Sequence, residues 1–192
     1  MYARMAQHTR PDYLPAMTAA LVLSLLLSGG PMRFHEFQVT TIDGKEVSLA
    51  AYEGKAVLVV NTASECGYTP QYKGLEELYQ AYRKRGLEIL AFPSNDFGAQ
   101  EPGTNAQIKK FCEARYRTTF PLFAKVAVKG AGAAPLYKWL TGQPGKKGGD
   151  VTWNFNKFLV DPAGKVVAHL DSSVEPTSAE MRRQVEAVLP AP

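Results

Sequence analysis

Two short apolar runs constrain this chain more than anything else in it. Ala56–Asn61 reads A-V-L-V-V-N and Leu87–Phe92 reads L-E-I-L-A-F. Unbroken valine- and leucine-rich runs of this length suit strands covered on both faces. Between them Leu75, Leu78, Tyr79 and Tyr82 recur at helical spacing, and Gly86 supplies a helix stop. Strand, helix, strand at this length predicts a parallel pair joined by a crossover.

The flanking sequence extends this core. Phe37–Thr41 and Val47–Leu49 bracket Asp43-Gly44, a hairpin dipeptide. Thr104 is an N-cap for a helix carrying Ile108, Phe111 and Cys112 on one face. Pro121–Phe123 is a short apolar piece, and Pro135–Thr141 a short helix. Phe155–Val160 and Val166–Leu170 flank the turn Asp161-Pro162-Ala163-Gly164, and Ser178–Leu189 is a terminal amphipathic helix. The expected fold is α/β, a mixed central sheet flanked by helices on both faces. Gly142–Gly149 reads as a basic surface connection.

Residues 1–31 differ from the rest. Arg4 and Arg10 precede an apolar stretch from Ala16 to Ser28, too short to span a membrane but fit for a signal-peptide core. Pro31 follows the small residues Ser28, Gly29 and Gly30, where it would hinder cleavage. Two readings stand. The segment is an export signal, or translation starts at Met32 and the protein stays cytoplasmic. Residues 32–192 form the globular domain in either case.

The chain of 192 residues holds only two cysteines, Cys66 and Cys112. That excludes a disulfide-dense scaffold and a four-cysteine metal site. His8, His35 and His169 have no metal-ligand spacing, and no P-loop or G-x-S-x-G occurs. Gly130-Ala131-Gly132 lacks the third glycine of a dinucleotide fingerprint. No metal and no tightly held cofactor are expected. The net charge of +4 comes without a basic run, so nucleic acid is not an expected partner.

Cys66 lies in N-T-A-S-E-C-G-Y-T, between the first buried strand and its helix. Ligands of open parallel sheets gather outside the carboxyl ends of the strands. Free N–H groups and the positive end of the helix dipole favour a thiolate there, the nucleophilic form. A buried, inert cysteine is the alternative. The third residue after Cys66 is Thr69, so a C-x-x-C dithiol is absent. Cys112, taken alone, is equally a structural cysteine on an apolar helix face.

Three separated segments, Asn61–Thr69, Phe92–Gly103 (F-P-S-N-D-F-G-A-Q-E-P-G) and Trp153–Phe155 (W-N-F), together resemble the glutathione peroxidase family of the thioredoxin-like fold. The resemblance covers roughly Phe34 to Leu189. It implies that Cys66 is the peroxidatic residue and that Gln100, Trp153 and Asn154 surround the thiol as neutral donors. It also implies that Cys112 is a resolving cysteine, which forms a disulfide with oxidised Cys66 before an external thiol reduces the pair. Local unwinding around residues 108–118 would accompany that pairing. The substrates implied are hydrogen peroxide and organic or lipid hydroperoxides; thioredoxin or glutathione is the reductant, with Cys112 favouring thioredoxin.

Relatives carry cysteine and glutamine where this chain has Ser94 and Asp96, and Asp96 is expected to face outward. The short segment between Trp139 and Trp153 implies a monomer. Lys109, Lys110, Lys129, Lys146 and Lys147 are candidates for steering an anionic partner, or a solvated face. The competing function is a redox sensor that passes oxidation of Cys66 to a client protein; a binding protein on a dead scaffold is a third class.

Overall fold

The computed structural model describes residues 32–191. The two readings of residues 1–31 concern residues outside that range. A four-stranded sheet has the order β4-β3-β5-β6, built from β3 (Ala56–Thr62), β4 (Leu87–Pro93), β5 (Lys157–Val160) and β6 (Val166–Leu170). β3 and β4 are parallel, with Leu58 opposite Ile89, as the paired apolar runs require. β5 joins β3 antiparallel and β6 joins β5 antiparallel, so the sheet is mixed.

Alternation along β3 sorts the two faces. Ala56, Leu58 and Val60 pack with Leu87, Ile89 and Leu159 against α1 (Gln71–Tyr82), α2 (Asn105–Phe111) and α4 (Ala179–Glu186). Val57 and Val59 pack with Leu90, Phe92 and Phe158 against α3 (Pro135–Thr141). Helices thus cover both faces. A separate hairpin, β1 (Gln38–Thr40) with β2 (Glu46–Ser48), turns at Asp43-Gly44. Leu49 falls outside its second strand and opens a 3-10 turn capped by the Ser48 hydroxyl. The Pro121–Phe123 piece ties this hairpin to the β4 edge through bridges Thr41–Phe123 and Ala91–Leu122.

Two elements end elsewhere than their sequence patterns suggest, and both ends matter to the site. The strand expected from Phe155 starts at Lys157, because Phe155 takes φ of 66°, a left-handed conformation that breaks the pleat. The helix capped by Thr104 has the expected capping box with Gln107. It changes register at Cys112, where Cys112–Tyr116 form a π-helical turn. The turn closes on Arg117 at φ of 53° rather than on a glycine.

Lys157 is wholly buried, and its ammonium has one hydrogen bond, to the Phe155 carbonyl at 2.8 Å. Burial pulls its pKa from 10.5 down to about 8, against the opposing pull of Glu175 and Asp171. Below pH 8 the lysine is charged in both folded and unfolded chains, and the folded state bears the desolvation. As pH rises from 8 toward 10.5 the folded state sheds its proton first, so stability rises. A gain of about 2 kcal/mol is expected between pH 7.5 and 9.5. Above pH 10 the buried Tyr72 and Tyr137, both shifted upward by burial, reverse it. Urea midpoints across this range test the assignment: Lys157→Met should lose the rise.

Candidate active site

Cys66 sits in a tight turn between the carboxyl end of β3 and the start of α1. The Cys66 N–H donates to the Thr69 hydroxyl at 2.9 Å, and that hydroxyl donates to the Ala63 carbonyl at 2.9 Å. The Thr69 N–H returns to the Cys66 carbonyl at 3.0 Å. The residue occupying the place of a second cysteine therefore locks the turn around the first. Its signal was its spacing, three residues after Cys66, but only the turn geometry reveals the role. The thiol is nearly buried and free, and the Tyr68 N–H donates to its sulfur at 3.4 Å. α1 begins only at Gln71. The donor facing the sulfur thus comes from the turn.

Two other motifs converge on this turn. The Glu65 N–H donates to the Gln100 carbonyl at 3.0 Å, which ties the residue beside Cys66 to the F-G-A-Q-E-P-G loop. The Asn154 side-chain amide, fully buried, donates to Gln100 Oε1 at 2.9 Å. Asn154 therefore holds the oxygen end of the Gln100 amide, which leaves the nitrogen end as the donor available to a ligand. The Asn61 amide donates to the Trp153 carbonyl at 3.0 Å, and the Phe155 N–H donates to the Asn61 carbonyl at 2.6 Å. Trp153 is 40% exposed, with its ring 5.6 Å from that of Phe97.

Behind this junction lies a buried polar bolt. The Ser172 hydroxyl donates to the Asn154 carbonyl at 2.6 Å and accepts from the Asn156 amide at 2.7 Å. The Ser172 carbonyl accepts from Gln71 at the head of α1, at 2.7 Å. Asn61, Asn156 and Ser172 are not among the sequence candidates, since nothing local marks them as partners across separations of 16 to 101 residues. Ser172→Ala should orphan the Asn154 carbonyl and the Asn156 amide and lower stability by about 2–4 kcal/mol, read as a shifted urea midpoint.

Asp96 is half-buried. Its carboxylate accepts the N–H groups of Val128 at 2.6 Å and Lys129 at 3.2 Å, and so fastens the loop after the Phe123 bridge. A carboxylate satisfied by two backbone donors is held in place. Two of the five candidate steering lysines are also engaged: Lys109 pairs with Asp43 at 2.8 Å, and Lys129 lies 4.4 Å over the Phe97 ring.

Cys112 is fully buried and free at the head of the π-helical turn. Burial pushes its thiol up to about 11, the Tyr72 hydroxyl beside it opposing the rise and Glu101 and Glu113 adding to it. Between the two cysteine-bearing segments lies a cavity of about 360 Å³, walled by Ser64 and Glu65 on one side and by Ile108 and Phe111 on the other. Glu101 lines it, buried, with burial as the chief cause of a pKa raised to about 7. Among the described residues no group of three or more potential ligands is placed to hold a metal, and no helix is long and apolar enough to cross a membrane.

Known proteins agree with this architecture. A hydroperoxy fatty acid reductase of Synechocystis is 50% identical over 160 residues, spanning 80% of this chain and 94% of that protein. The crystal structure of Trgpx in apo form superposes with a TM-score of 0.67 at 39% identity, covering 84% of this chain and all of that one. A thioredoxin-family thiol:disulfide interchange protein from Chlorobium tepidum has a TM-score of 0.62 at 20% identity, over 83% of this chain and 97% of its own; this likeness shows the thioredoxin-like fold. The glutathione peroxidase family model matches residues 34–141. With that match and a relative at 50% identity, the chain belongs to the glutathione peroxidase family.

Proposed function

We propose that the chain is a two-cysteine thiol peroxidase that reduces hydrogen peroxide and organic or lipid hydroperoxides. The observation that carries this reading is the junction at Gln100, bonded by its backbone to the Cys66 turn and by its side chain to Asn154. Cys66 attacks one peroxide oxygen as thiolate. The O–O bond breaks, the sulfur becomes sulfenic acid, and the leaving oxygen takes a proton to give water or an alcohol. The Gln100 amide nitrogen and the Trp153 indole N–H are the donors for the charge developing on that oxygen, and Asn154 keeps Gln100 oriented. The 50%-identical Synechocystis relative, named for hydroperoxy fatty acids, supports lipid hydroperoxides within the substrate range.

Cys112 then condenses with the sulfenic acid, and the disulfide is reduced by exchange with an external dithiol. Both cysteines are buried and free, and in this reading the Cys112 segment moves to meet Cys66. The π-helical turn supports this, because its wide register and left-handed terminal residue make a poorer helix than an α-helical continuation would. Hydrogen exchange should fall in protection over residues 108–118 on oxidation; unchanged protection would remove the moving-helix step. The short Trp139–Trp153 connection supports a monomer.

A coupled assay tests the function. Sustained NADPH consumption with hydroperoxide, thioredoxin and thioredoxin reductase is expected, at a rate exceeding that with glutathione and its reductase. A single stoichiometric burst under both conditions would instead establish the sensor reading.

A further inference from the structure

The resolving step has a chemical difficulty that the geometry around it addresses. A thiol held at about 11 is almost wholly protonated near neutrality, yet the thiolate is the attacking form. Cys112 therefore needs a base. Its surroundings are the apolar core beneath α1, with few polar groups at hand. The Tyr72 hydroxyl, buried and unpartnered, lies beside Cys112 and Thr62. Glu101 is close enough that its charge raises both Tyr72 and Cys112.

The Glu101 side chain is only half tied down. Its Oε2 accepts the Ser64 hydroxyl at 3.1 Å, two residues before Cys66. Its Oε1 is buried and has no hydrogen-bond partner among the described residues. Its backbone is fixed at both ends: the N–H donates to Asn95 Oδ1 at 2.8 Å, and the carbonyl accepts the Lys125 ammonium at 3.1 Å. The carboxyl lines the cavity opposite Ile108, which lies one helical turn before Cys112 on the same face.

We propose that Glu101 is the proton acceptor for Cys112 when the second thiol attacks oxidised Cys66. The proposal rests on the two-cysteine reading above. Glu101 starts as carboxylate and takes the proton from the Cys112 thiol. The new thiolate attacks Cys66 sulfur, the S–S bond forms, and the S–O bond of the sulfenic acid breaks. The departing hydroxide recovers the proton from Glu101 as water. The balance is one sulfenic acid and one thiol in, one disulfide and one water out, with Glu101 returned to carboxylate.

The charge arithmetic favours this arrangement. The cluster of Glu101, Cys112 and Tyr72 carries one negative charge at rest and one after proton transfer, so no second buried anion is created. The other charges facing Glu101 are Glu65 from the Cys66 turn, which opposes its ionisation, and Lys125, which favours it. Glu113, which also faces Lys109 at 3.9 Å, raises Cys112 further. A base titrating near pH 7 is matched to its task at neutral pH.

The test separates the two half-reactions by rapid mixing of the reduced protein with one equivalent of hydrogen peroxide. Acid quench, dimedone trapping and peptide mass spectrometry read sulfenic acid and disulfide separately. In the wild type, disulfide formation is expected to rise about tenfold per pH unit and to level off above about pH 7. In Glu101→Gln that inflection should vanish, the rate should fall roughly 100-fold, and dimedone-reactive Cys66 should accumulate. Glu101→Asp, which keeps a carboxyl of similar size, should retain the inflection at a reduced rate; if the glutamine variant does not fold, this variant decides. Wild-type rates and profile in Glu101→Gln, or an inflection lost in Glu101→Asp, would overturn the proposal. No bridge in the wild type would overturn the two-cysteine reading itself, and the proposal with it.

Discussion

Replacing Cys66 by serine is expected to lower hydroperoxide reduction by at least about 10³-fold, whatever thiol is supplied as reductant. The hydroxyl is isosteric, so the turn should survive: its closing bonds run through the Cys66 backbone and the Thr69 hydroxyl. What is lost is the nucleophile, because an alcohol at this position has neither the polarisable sulfur nor an adjacent base to activate it. Circular dichroism and a urea midpoint close to wild type would show that the loss is chemical. A variant retaining even a tenth of wild-type turnover would move the reaction to another residue.

Replacing Cys112 by serine should divide the cycle in two. The first turnover should proceed, since Cys112 lies behind the cavity wall on the π-helical turn. Steady-state turnover with thioredoxin should drop by roughly 10²-fold or more, because a tethered thiol is replaced by a bimolecular encounter. Under excess peroxide the trapped sulfenic acid should climb to sulfinic acid, 32 mass units above the thiol, at Cys66. The serine hydroxyl would lie beside the unpartnered Tyr72 hydroxyl, so stability should change little. Full thioredoxin-dependent turnover in this variant would assign Cys112 to packing.

The sequence announces the parts of this protein whose information is local. The apolar runs at β3 and β4 have one stable arrangement, side by side and covered on both faces, and Thr104 with Gln107 is a capping box wherever it occurs. Cys66, Gln100, Trp153 and Asn154 stand in motifs. What was not legible depends on partners distant in the chain. Asp96 is recruited by amides 32 and 33 residues away, and a carboxylate in a polar loop gives no sign of which donors will reach it. The π-helical register at Cys112 follows from the backbone pairing of Arg117 with Cys112 and Glu113, for which the helical spacing of Ile108 and Cys112 has no signature. Glu101 looked like one letter of a motif. Only its burial beside Ser64, and its nearness to Cys112, distinguish it from the exposed carboxylates.

The wiring at Gln100 has a consequence for variants. Asn154 reaches Gln100 and the Phe97 carbonyl, at 2.9 and 3.5 Å, so in the proposed cycle it acts by positioning. In the proposed cycle the chemistry then depends on a scaffold that includes Asn61, Asn156 and Ser172, all buried and none hydrogen-bonded to the sulfur. Such residues carry the order of the site, which a lost hydrogen bond relaxes before it unfolds the chain.

In the proposed cycle Cys66 and Cys112 are the two halves of one catalytic disulfide. Peptide mass spectrometry of the wild-type protein after one equivalent of hydroperoxide decides whether that bridge forms. A peptide pair joined through Cys66 and Cys112 and released by thioredoxin is expected. Stable sulfinic acid at Cys66 with Cys112 still a free thiol would contradict it.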